Sequence, residues 1–490
     1  MQLVELLEAL RIYEAYGVTD VEINQIRVDS RETKRGDLFV CLPGFVVDGH
    51  DFANKAVANG AAAIICERRL PIAVTQIIVP NSRRALAIIA AKSYNYPSEK
   101  LRLIGVTGTN GKTTTTYLID KILNDYDKTT GLIGTIQMKI AGVEENLKNT
   151  TPDILQMNES LSRMVEADVE YVSMEVSSHA LELGRVRGID YDIAVFTNFS
   201  QDHLDFHGSM EKYLEAKTLL FSQLGNSYLR DHKFAVLNAD DATCELLQKC
   251  TSAEVITYGI DNEADLRATD IKITGNGTSF RIDSYAGSAH VNLQMIGKFN
   301  VYNALAAIAV GLIEKIPLEV IIKSIEQLPS VRGRFERVST DEDFNVIVDY
   351  AHTPDGLKNV LSAAREITSG KLYCVFGAGG DRDKSKRPLM GQTVIAGSDI
   401  AVVTSDNPRS ENPEAIIDDI IKGIIEMTED STRYVRIVDR KSAIEYAIKH
   451  AAAGDLVLIA GKGHEDYQIL ADQVIHFDDR EIAEAALRSR

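Results

Sequence analysis

A glycine-rich segment followed by a lysine and two threonines has the residue types of a phosphate-binding loop. Glycines stand at positions 105, 108 and 111, and the loop itself consists of Gly108, Thr109, Asn110, Gly111, Lys112, Thr113 and Thr114. Such glycines let the backbone turn tightly with its N-H groups pointing inward, and the N-terminus of a following helix adds partial positive charge. We therefore predict that ATP is a substrate, with Lys112 on its β and γ phosphates and the Thr113 hydroxyl on a magnesium ion.

The loop departs from the strict phosphate-loop pattern at one position. The pattern GxxxxGK[ST] requires glycine at 106, where this sequence has Val106. The apolar segment 101–107 predicts a strand before the loop, and segment 113–123 predicts a helix after it. Because the strand, the loop and the Gly-Lys-Thr-Thr core follow in the required order, the prediction of phosphate binding stands.

Two polar segments after later strands supply candidate metal ligands. Glu175 stands near the end of the apolar segment 171–176, just before a polar run. His203 lies in the polar run that follows the apolar segment 192–197. Carboxylates are ordinary ligands of magnesium, whereas imidazole is an unusual ligand for so hard an ion. Together these side chains predict a second magnesium ion.

Four apolar segments near the C-terminus each run into a polar or glycine-rich loop. The segments are 346–348, 373–376, 400–403 and 456–459, and their loops carry Asp349, Arg382, Arg409 and Glu465. Ligands of open α/β sheets bind beyond the carboxyl ends of the strands. This part of the sequence therefore predicts a second binding surface.

The length of 490 residues exceeds what one hydrophobic core supports. We predict an α/β protein of three domains: residues 1–98, a central P-loop-type domain with a mostly parallel sheet at 99–330, and a Rossmann-like α/β domain at 331–490. The central strands at 171–176, 192–197 and 234–237 are apolar nearly throughout, as in parallel sheets covered on both faces. A helix is predicted at 303–316.

Composition excludes several classes of partner. The formal net charge of -18 argues against a nucleic-acid or anionic-membrane partner, because such partners require a basic face. The cysteines are scattered without CxxC spacing, which favours reduced thiols over a zinc site. The first residues lack the basic flank and apolar core of a signal peptide, and no stretch approaches the length of a membrane span. We expect a cytoplasmic protein.

Four longer motifs resemble the Mur ligases of bacterial cell-wall synthesis. They are Gly-Thr-Asn-Gly-Lys-Thr-Thr at 108–114, Met-Glu-Val-Ser-Ser-His at 174–179, Thr-Asn-Phe-Ser-Gln-Asp-His-Leu-Asp-Phe-His-Gly at 197–208 and Gly-Lys-Phe-Asn-Val-Tyr-Asn at 297–303. The resemblance extends from residues 28–31 to residues 461–465, nearly the whole chain. It implies an ADP-forming ligase in which a carboxylate takes the γ-phosphate of ATP as an acyl phosphate, an amine attacks that carbonyl, and phosphate leaves.

The resemblance also implies roles for residues of the ATP site. The catalytic residues would be Lys112, His203 and Lys217, the last as a carbamate. Two magnesium ions would be held by Thr113, Glu175, His203 and carbamylated Lys217. ATP would further contact Asn303, Arg334 and Asp349, and closure of the C-terminal domain would exclude water from the acyl phosphate.

The other substrates follow from the same resemblance. A UDP-muramoyl dipeptide would be bound by Ser30, Thr150, Thr151, Ser177 and Arg185. The incoming amino acid would be bound by Arg382, Asp406, Asn407, Pro408, Arg409, Gly461 and Glu465. The Asp-Asn-Pro-Arg sequence at 406–409 resembles that of the members that add meso-diaminopimelate. The guanidinium of Arg409 suits the second carboxylate of that amino acid, which lysine lacks.

Three alternative functions remain open at the level of sequence. Two are sister ligases, a lysine-adding Mur ligase and a folylpolyglutamate synthetase-like enzyme, which share the ATP machinery. The third is a P-loop ATPase switch protein, which would hydrolyse ATP without an amine acceptor. We expect a monomer whose partners are small molecules, with neither nucleic acid nor membrane among them.

Overall fold

The computed structural model describes residues 1–44, 47–147, 149–225 and 232–490, and every predicted site residue lies within these ranges. The chain divides into two compact units. The first contains residues 1–105 and 128–192, and the second contains residues 106–127 and 193–490. The predicted three-domain boundaries stay a prediction.

The helices and strands are numbered in chain order. The α-helices are α1 Leu3–Leu7, α2 Ala53–Ala58, α3 Ser82–Ser93, α4 Lys112–Asp125, α5 Ile154–Glu166, α6 Ser178–Glu182, α7 Leu204–His207, α8 Met210–Ser222, α9 Cys244–Cys250, α10 Lys298–Ile313, α11 Leu318–Glu326, α12 Pro354–Glu366, α13 Lys386–Gly397, α14 Pro413–Met427, α15 Arg440–His450 and α16 Asp479–Arg488. The strands are β1 Glu14–Tyr16, β2 Ile26–Arg27, β3 Leu38–Val40, β4 Ala63–Cys66, β5 Thr75–Ile78, β6 Arg102–Thr107, β7 Thr130–Ile133, β8 Met138–Ile140, β9 Val143–Glu145, β10 Tyr171–Glu175, β11 Ile193–Phe196, β12 Phe234–Asn238, β13 Glu254–Gly259, β14 Leu266–Thr274, β15 Gly277–Ser284, β16 Gly287–Leu293, β17 Glu336–Val338, β18 Asn345–Asp349, β19 Leu372–Phe376, β20 Ile400–Val403, β21 Tyr434–Arg436, β22 Leu456–Ala460, β23 Tyr467–Leu470 and β24 Gln473–His476.

The first unit contains two groups of strands. Its N-terminal sheet has the order β1-β5-β4-β3-β2, with β1 antiparallel to its neighbour and the others parallel. The second group has the order β6-β10-β7-β8-β9, in which β10 and β7 are parallel and the last two strands fold back as an antiparallel meander.

The second unit begins with the end of β6, the phosphate loop and α4, and it continues into two sheets. Strands β11, β12, β13 and β14 run parallel, and β14, β15 and β16 form an antiparallel meander. The C-terminal sheet has the order β17-β18-β22-β19-β20-β21, in which only β17 runs antiparallel to its neighbour. This mostly parallel architecture confirms the predicted α/β class.

The C-terminal sheet is covered on both faces because its central strands are apolar at every position. In β19, Leu372, Cys374 and Phe376 pack in the core that contains α12, α13 and α14. The alternate residues Tyr373 and Val375 pack in the core that contains α15 and α16. Because β18, β19, β20 and β22 are parallel, their carboxyl ends lie on one edge of the sheet, as predicted from the sequence.

The predicted strands at 171–176, 192–197 and 234–237 are confirmed as β10, β11 and β12. The helix predicted at 303–316 is present with different bounds, as Lys298–Ile313. It starts earlier because Gly297, at φ +104°, turns the chain into the helix, and it ends earlier because Lys315 adopts φ +59°. Within the described ranges, no helix is long and apolar enough to cross a membrane.

Candidate active site

The phosphate loop joins β6 to α4 through two glycines with left-handed backbone conformations. Gly108 has φ +149° and Gly111 has φ +87°. A side chain at Gly108 would collide with the Thr197 hydroxyl, and one at Gly111 would collide with the amide oxygen of Asn303. Both positions therefore require glycine for backbone conformation and for space.

The segment after β11 braces the phosphate loop. The Thr197 hydroxyl donates to the Asn110 carbonyl over 2.6 Å. The Asn110 N-H donates to Asn198 Oδ1 over 2.9 Å, and the Thr109 N-H donates to the Asn198 carbonyl over 2.8 Å. The Thr-Asn pair of the third motif thus fixes the shape of the loop, a role that sequence analysis did not assign.

Two lysines converge on the carbonyl of Gly108. Lys112 Nζ donates to the carbonyls of Gly108 and Thr109 over 2.9 and 2.8 Å, and Lys217 Nζ donates to Gly108 over 2.8 Å. Lys217, on α8, is fully buried above the ring of Tyr213. Burial first, and then the charge of Lys112, lower the pKa of Lys217 well below its ordinary value. Lys217 is therefore a buried amine with a strong tendency to be neutral.

Arg334 reaches the phosphate loop from the segment that precedes the C-terminal sheet. Its Nη2 donates to the Thr113 hydroxyl over 2.9 Å, and its guanidinium lies 4.5 Å from the centre of the Tyr350 ring. Its Nε is buried and has no hydrogen-bond partner within the described ranges. A guanidinium beside the hydroxyl predicted for magnesium is well placed for an anion such as a phosphate.

Asp349 and Asn303 make internal contacts in this region. Asp349 accepts hydrogen bonds from the N-H groups of Phe335 and Ala351, each over 2.7 Å. Burial raises the pKa of Asp349, although Arg334 opposes the shift. Asn303 is buried and donates to Asn300 Oδ1 over 3.1 Å. Their predicted contacts with ATP stay predictions.

Asp355 connects the N-terminus of α12 to the phosphate loop and was not predicted. Its Oδ2 accepts from Asn110 Nδ2 over 3.0 Å and from the Ser200 hydroxyl over 2.9 Å. The carboxylate is separated from Asn110 by more than two hundred residues of sequence, so no local pattern could reveal the contact. This bond makes the phosphate loop and the C-terminal sheet parts of one contact network.

His203 packs edge-on against Tyr213, whose hydroxyl contacts Thr109 of the phosphate loop. Its backbone has φ +54°, and its Nε2 is 3.4 Å from Asp202 Oδ2. Among the described residues, no group of three His, Cys, Asp or Glu side chains could hold a metal ion. The predicted magnesium ligands Thr113, Glu175, His203 and Lys217 therefore stay predictions.

Four of the residues predicted to bind the precursor, together with Glu175, form one polar network in the first unit. Glu175 accepts from the Thr135 N-H over 2.8 Å and from its hydroxyl over 3.0 Å. Further links, at 2.8 to 3.1 Å, join Thr135 to Thr150, Thr151 to the Glu175 carbonyl, the Ser177 N-H to Thr151, and Arg185 to the Thr151 carbonyl. The hydroxyl of Thr135 belongs to this network and was missed by sequence analysis.

Ser30, the remaining residue predicted for the precursor, lies in the N-terminal part of the first unit. It is buried, and its carbonyl accepts from Asn59 Nδ2 over 2.8 Å. The structure does not bring Ser30 into the network around Glu175. Its contact with a uridine diphosphate sugar stays a prediction.

The loops after β20 and β22 meet in a polar cluster. Asn407 Nδ2 donates to Glu465 Oε2 over 2.9 Å, and Lys462 Nζ donates to both Asn407 Oδ1 and Glu465 Oε2 over 3.2 Å. Gly461, at φ +121°, leaves room for the Asp406 carboxylate, which a Cβ would approach to 2.7 Å. The predicted amino-acid residues of these two loops are therefore in contact with each other.

Arg409 is held beside this cluster by its backbone. It adopts φ +51°, its N-H donates to the Ile469 carbonyl over 3.2 Å, and its carbonyl accepts from the Ala471 N-H over 2.9 Å. Its Nη1 donates to the Gly380 carbonyl over 2.7 Å. No hydrogen bond joins its Nε or Nη2 to the described residues. A guanidinium with two such nitrogens has the chemistry to bind a carboxylate, and the predicted role of Arg409 stays a prediction.

Arg382 and Pro408 occupy different surroundings. Arg382 is exposed, and its Nη1 donates to the neighbouring Asp381 carbonyl over 3.0 Å. Pro408 is buried, and its carbonyl accepts from the Glu411 N-H over 3.0 Å. The predicted contacts of both residues with the amino acid stay predictions.

A buried arginine, Arg387, supports the loop that carries Arg382. Its guanidinium donates to both oxygens of Glu411 over 2.8 and 3.1 Å and to Asp419 over 3.1 Å. We expect Arg387→Ala to lower the free energy of unfolding by about 3 kcal/mol, as when one partner of a buried ion pair is removed. Urea unfolding measures this loss.

The loss should depend on pH. The hydrogen bond from Arg387 is the main cause that lowers the pKa of Glu411 to about 2. A lowered carboxyl pKa stabilises the fold above the pKa of the unfolded chain, and this contribution disappears as the pH falls towards about 2. The difference between wild type and Arg387→Ala should therefore be smaller at about pH 3 than at neutral pH. Exposed Arg436→Ala is the control, and an equal difference at both pH values would contradict the assignment.

Comparisons with known proteins agree over the full length of the chain. Mur ligase family models match at residues 22–102 (catalytic domain), 106–311 (middle domain) and 333–463 (glutamate ligase domain). The UDP-N-acetylmuramoyl-L-alanyl-D-glutamate--2,6-diaminopimelate ligase of Bacillus cereus is 50% identical, covering 100% of this chain and 99% of that protein. The enzyme of the same name from Listeria monocytogenes is 49% identical with the same coverage.

A solved structure supports the same relationship. A UDP-N-acetylmuramoyl-L-alanyl-D-glutamate--2,6-diaminopimelate ligase superimposes with a TM-score of 0.69 at 34% identity, covering 100% of this chain and 99% of that one. The phosphate loop, its supporting lysines and the second polar cluster thus occur in a chain that is similar to these ligases from end to end. The chain belongs to the Mur ligase family.

Proposed function

We infer that this protein is the ATP-dependent ligase that adds meso-diaminopimelate to the D-glutamate γ-carboxylate of UDP-N-acetylmuramoyl-L-alanyl-D-glutamate, in peptidoglycan precursor synthesis. The observation that carries this function is the pairing, within one unit, of a phosphate loop with a second polar cluster that contains Arg409, Asn407 and Glu465. Relatives about half identical to the chain bear the name of this activity. The cytoplasmic location and the monomeric state stay predictions.

Phosphoryl transfer to a carboxylate brings two anions together, so cations must act on the first step. Lys112 and Arg334 are two cations that contact the phosphate loop. With ATP bound, Lys112 would exchange the carbonyls of Gly108 and Thr109 for phosphate oxygens, and Arg334 would use its unpaired Nε. The first change replaces neutral acceptors with charged ones, and the second gives a buried donor a charged acceptor, so both form strong hydrogen bonds.

Lys217 is suited to become a carbamate. A neutral amine attacks carbon dioxide, forms an N-C bond and releases a proton, and the lowered pKa of this lysine favours the neutral form. The product is an anion whose oxygens suit magnesium, whereas an ammonium repels it. In the second unit, Thr113, His203 and carbamylated Lys217 would hold magnesium, whose charge neutralises the phosphates. Glu175 stays a predicted metal ligand.

The precursor would occupy the first unit. Thr135 contacts the carboxylate of Glu175, and Thr150, Thr151, Ser177 and Arg185 are linked to it through hydroxyls and backbone carbonyls. Burial lowers the pKa of the Arg185 guanidinium, which remains a cation at neutral pH. Arg185 is therefore a candidate for the carboxylates of the muramoyl peptide.

The amino-acid pocket would distinguish diaminopimelate from lysine by one carboxylate. Arg409 offers two nitrogens that make no hydrogen bond to the described part of the chain, and Glu465 offers a carboxylate oxygen for the distal ammonium. Lysine has an ammonium at its far end but no carboxylate, so it would leave the guanidinium desolvated and unpaired. A site built to pair with a group rejects the analogue that lacks it.

The alternative functions predict different products. A lysine-adding Mur ligase or a folylpolyglutamate synthetase-like enzyme would release phosphate with lysine or glutamate as the acceptor. A P-loop switch would hydrolyse ATP without any acceptor. The second polar cluster favours the ligase, because a switch has no use for a pocket that binds an amino acid.

Phosphate release in reactions that each lack one component tests the proposal. We expect release only when UDP-muramoyl dipeptide, ATP and meso-diaminopimelate are all present. Replacing diaminopimelate with lysine or glutamate should give little release. Phosphate release that needs neither the dipeptide nor an amino acid would favour the switch, and release with lysine or glutamate in its place would favour a sister ligase.

A further inference from the structure

A buried lysine, Lys462, lies at the centre of the cluster that carries the amino-acid residues. Its side chain is 0% exposed, and it lies in the glycine-rich loop after β22. Its Nζ is 3.2 Å from Glu465 Oε2, 3.2 Å from Asn407 Oδ1 and 3.9 Å from Asp406 Oδ1. A buried ammonium is costly unless it is paired and hydrogen-bonded, so this arrangement needs its anionic partners.

The hydrogen bonds around Lys462 fix the orientation of the Asn407 amide. Oδ1 of Asn407 accepts from Lys462 and, over 2.9 Å, from the Ile469 N-H. With both donors on the oxygen, the amide nitrogen must face Glu465, to which it donates over 2.9 Å. Reversing the amide would place an N-H group against two donors.

The same bonds leave one oxygen of Glu465 for a ligand. Oε2 accepts from both Asn407 and Lys462, whereas Oε1 has no hydrogen-bond partner among the described residues. The Glu465 side chain is 16% exposed. Its carboxylate is therefore anchored through one oxygen and open through the other.

We propose that Lys462 is a positioning residue that aligns Glu465 and Asn407 for the distal amino-acid head of diaminopimelate and makes the pocket selective for a zwitterionic end. This inference rests on the proposed function. Arg409 and Lys462 carry two positive charges, and Asp406 and Glu465 carry two negative ones, so the group is neutral overall. A zwitterionic head leaves that balance unchanged, whereas the end of lysine adds a positive charge.

The charges around Glu465 give this inference a pH signature. Burial and Asp406 raise the pKa of Glu465, and Lys462 together with the Asn407 hydrogen bond opposes the rise. The other groups that face this carboxylate are Tyr350, Tyr467 and Arg440. Without Lys462 the pKa of Glu465 rises further, so Glu465 takes up its proton at a higher pH.

The variant Lys462→Met removes the charge while keeping an unbranched side chain. We expect the KM for diaminopimelate to rise about 10- to 100-fold, the worth of a charge-assisted hydrogen bond, while kcat and the KM for ATP change far less. The rise in KM should be steeper at low pH than in wild type, and the preference for diaminopimelate over lysine should fall. Lys422→Met, an exposed lysine on α14 with the same substitution, should leave all these constants unchanged.

A double-mutant cycle separates positioning from a merely structural role. If Lys462 acts through Glu465, then Lys462→Met combined with Glu465→Gln should be no worse than Glu465→Gln alone. Additive effects, or an equal loss in the KM for ATP, would overturn the proposal. Lys462→Gln, which keeps an N-H donor, replaces Lys462→Met in the same cycle if thermal unfolding shows that the methionine variant is unfolded.

The activity of the wild-type enzyme shows whether a negative result contradicts the proposed function or only the role of Lys462. Wild type that forms no tripeptide with diaminopimelate contradicts the proposed function itself. Wild type that forms the tripeptide, together with a Lys462→Met variant of unchanged KM and unchanged preference, contradicts only the role of Lys462.

Discussion

Arg409→Ala is expected to reduce kcat/KM for meso-diaminopimelate by about 100- to 1,000-fold, the range for breaking a paired, desolvated charge. The physical reason is that the pocket of this variant lacks the two guanidinium nitrogens available for the second carboxylate. Lysine, which has no such carboxylate, should lose much less. Steady-state kinetics with each amino acid at saturating ATP and dipeptide measures both effects.

Two further variants make this result specific. Arg409→Lys keeps the charge but loses the planar fork, so it should recover only part of the activity. Arg365→Ala, an exposed arginine of the same sheet domain paired with Asp399, should behave as wild type. Kinetics with diaminopimelate that are unchanged by Arg409→Ala would remove Arg409 from the pocket.

Lys217→Ala is expected to lower kcat by about 1,000-fold, because the carbamate that helps to neutralise the phosphates can no longer form. The substrate KM values should change less than kcat. Small carboxylic acids that enter the space left by the side chain should restore part of the rate, since they supply the missing anion. The measurement is the rate of tripeptide formation with and without added acetate.

The modification itself can be observed directly. Labelled bicarbonate should give a carbamate signal in wild type that grows as the pH rises, because only the neutral amine reacts. Lys217→Arg should lack this signal and remain inactive, whereas Lys212→Ala, an exposed lysine on the same helix, should retain both signal and activity. A fully active wild type with an unmodified Lys217 and both metal ions bound would exclude the carbamate.

The phosphate loop could be predicted from sequence because its requirements are local. The collisions that a side chain would meet at Gly108 and Gly111 explain why glycine stands there, although the partners Thr197 and Asn303 lie far away in sequence. The departure at Val106 has a similarly local reason, since this residue is a fully buried position of β6. Local backbone chemistry therefore sufficed for the strongest prediction.

The roles of Asp355 and Lys462 could not be predicted, because both depend on tertiary contacts. A lysine in a glycine-rich loop usually has an exposed side chain. Lys462 is buried instead, and it donates a hydrogen bond to Asn407, 55 residues away in sequence. By its position, Asp355 is an ordinary acidic residue in the first turn of α12. Only the folded chain brings it to Asn110 and Ser200.

For Lys217, the family resemblance led to a different interpretation from the one that residue type alone suggests. By residue type and helical position it would be read as an exposed helix lysine, whereas the structure buries it against Gly108 and Tyr213. The role implied for Arg382, an exposed side chain whose Nη1 donates to the Asp381 carbonyl, stays a prediction.

A competition reaction distinguishes a diaminopimelate-adding ligase from the alternative enzymes. Wild-type enzyme is given ATP, UDP-N-acetylmuramoyl-L-alanyl-D-glutamate and equal concentrations of meso-diaminopimelate and lysine, and the products are resolved by mass. We predict that nearly all of the tripeptide carries diaminopimelate and that one phosphate is released for each tripeptide formed. A product that carries mainly lysine, or phosphate released without any tripeptide, would contradict the account.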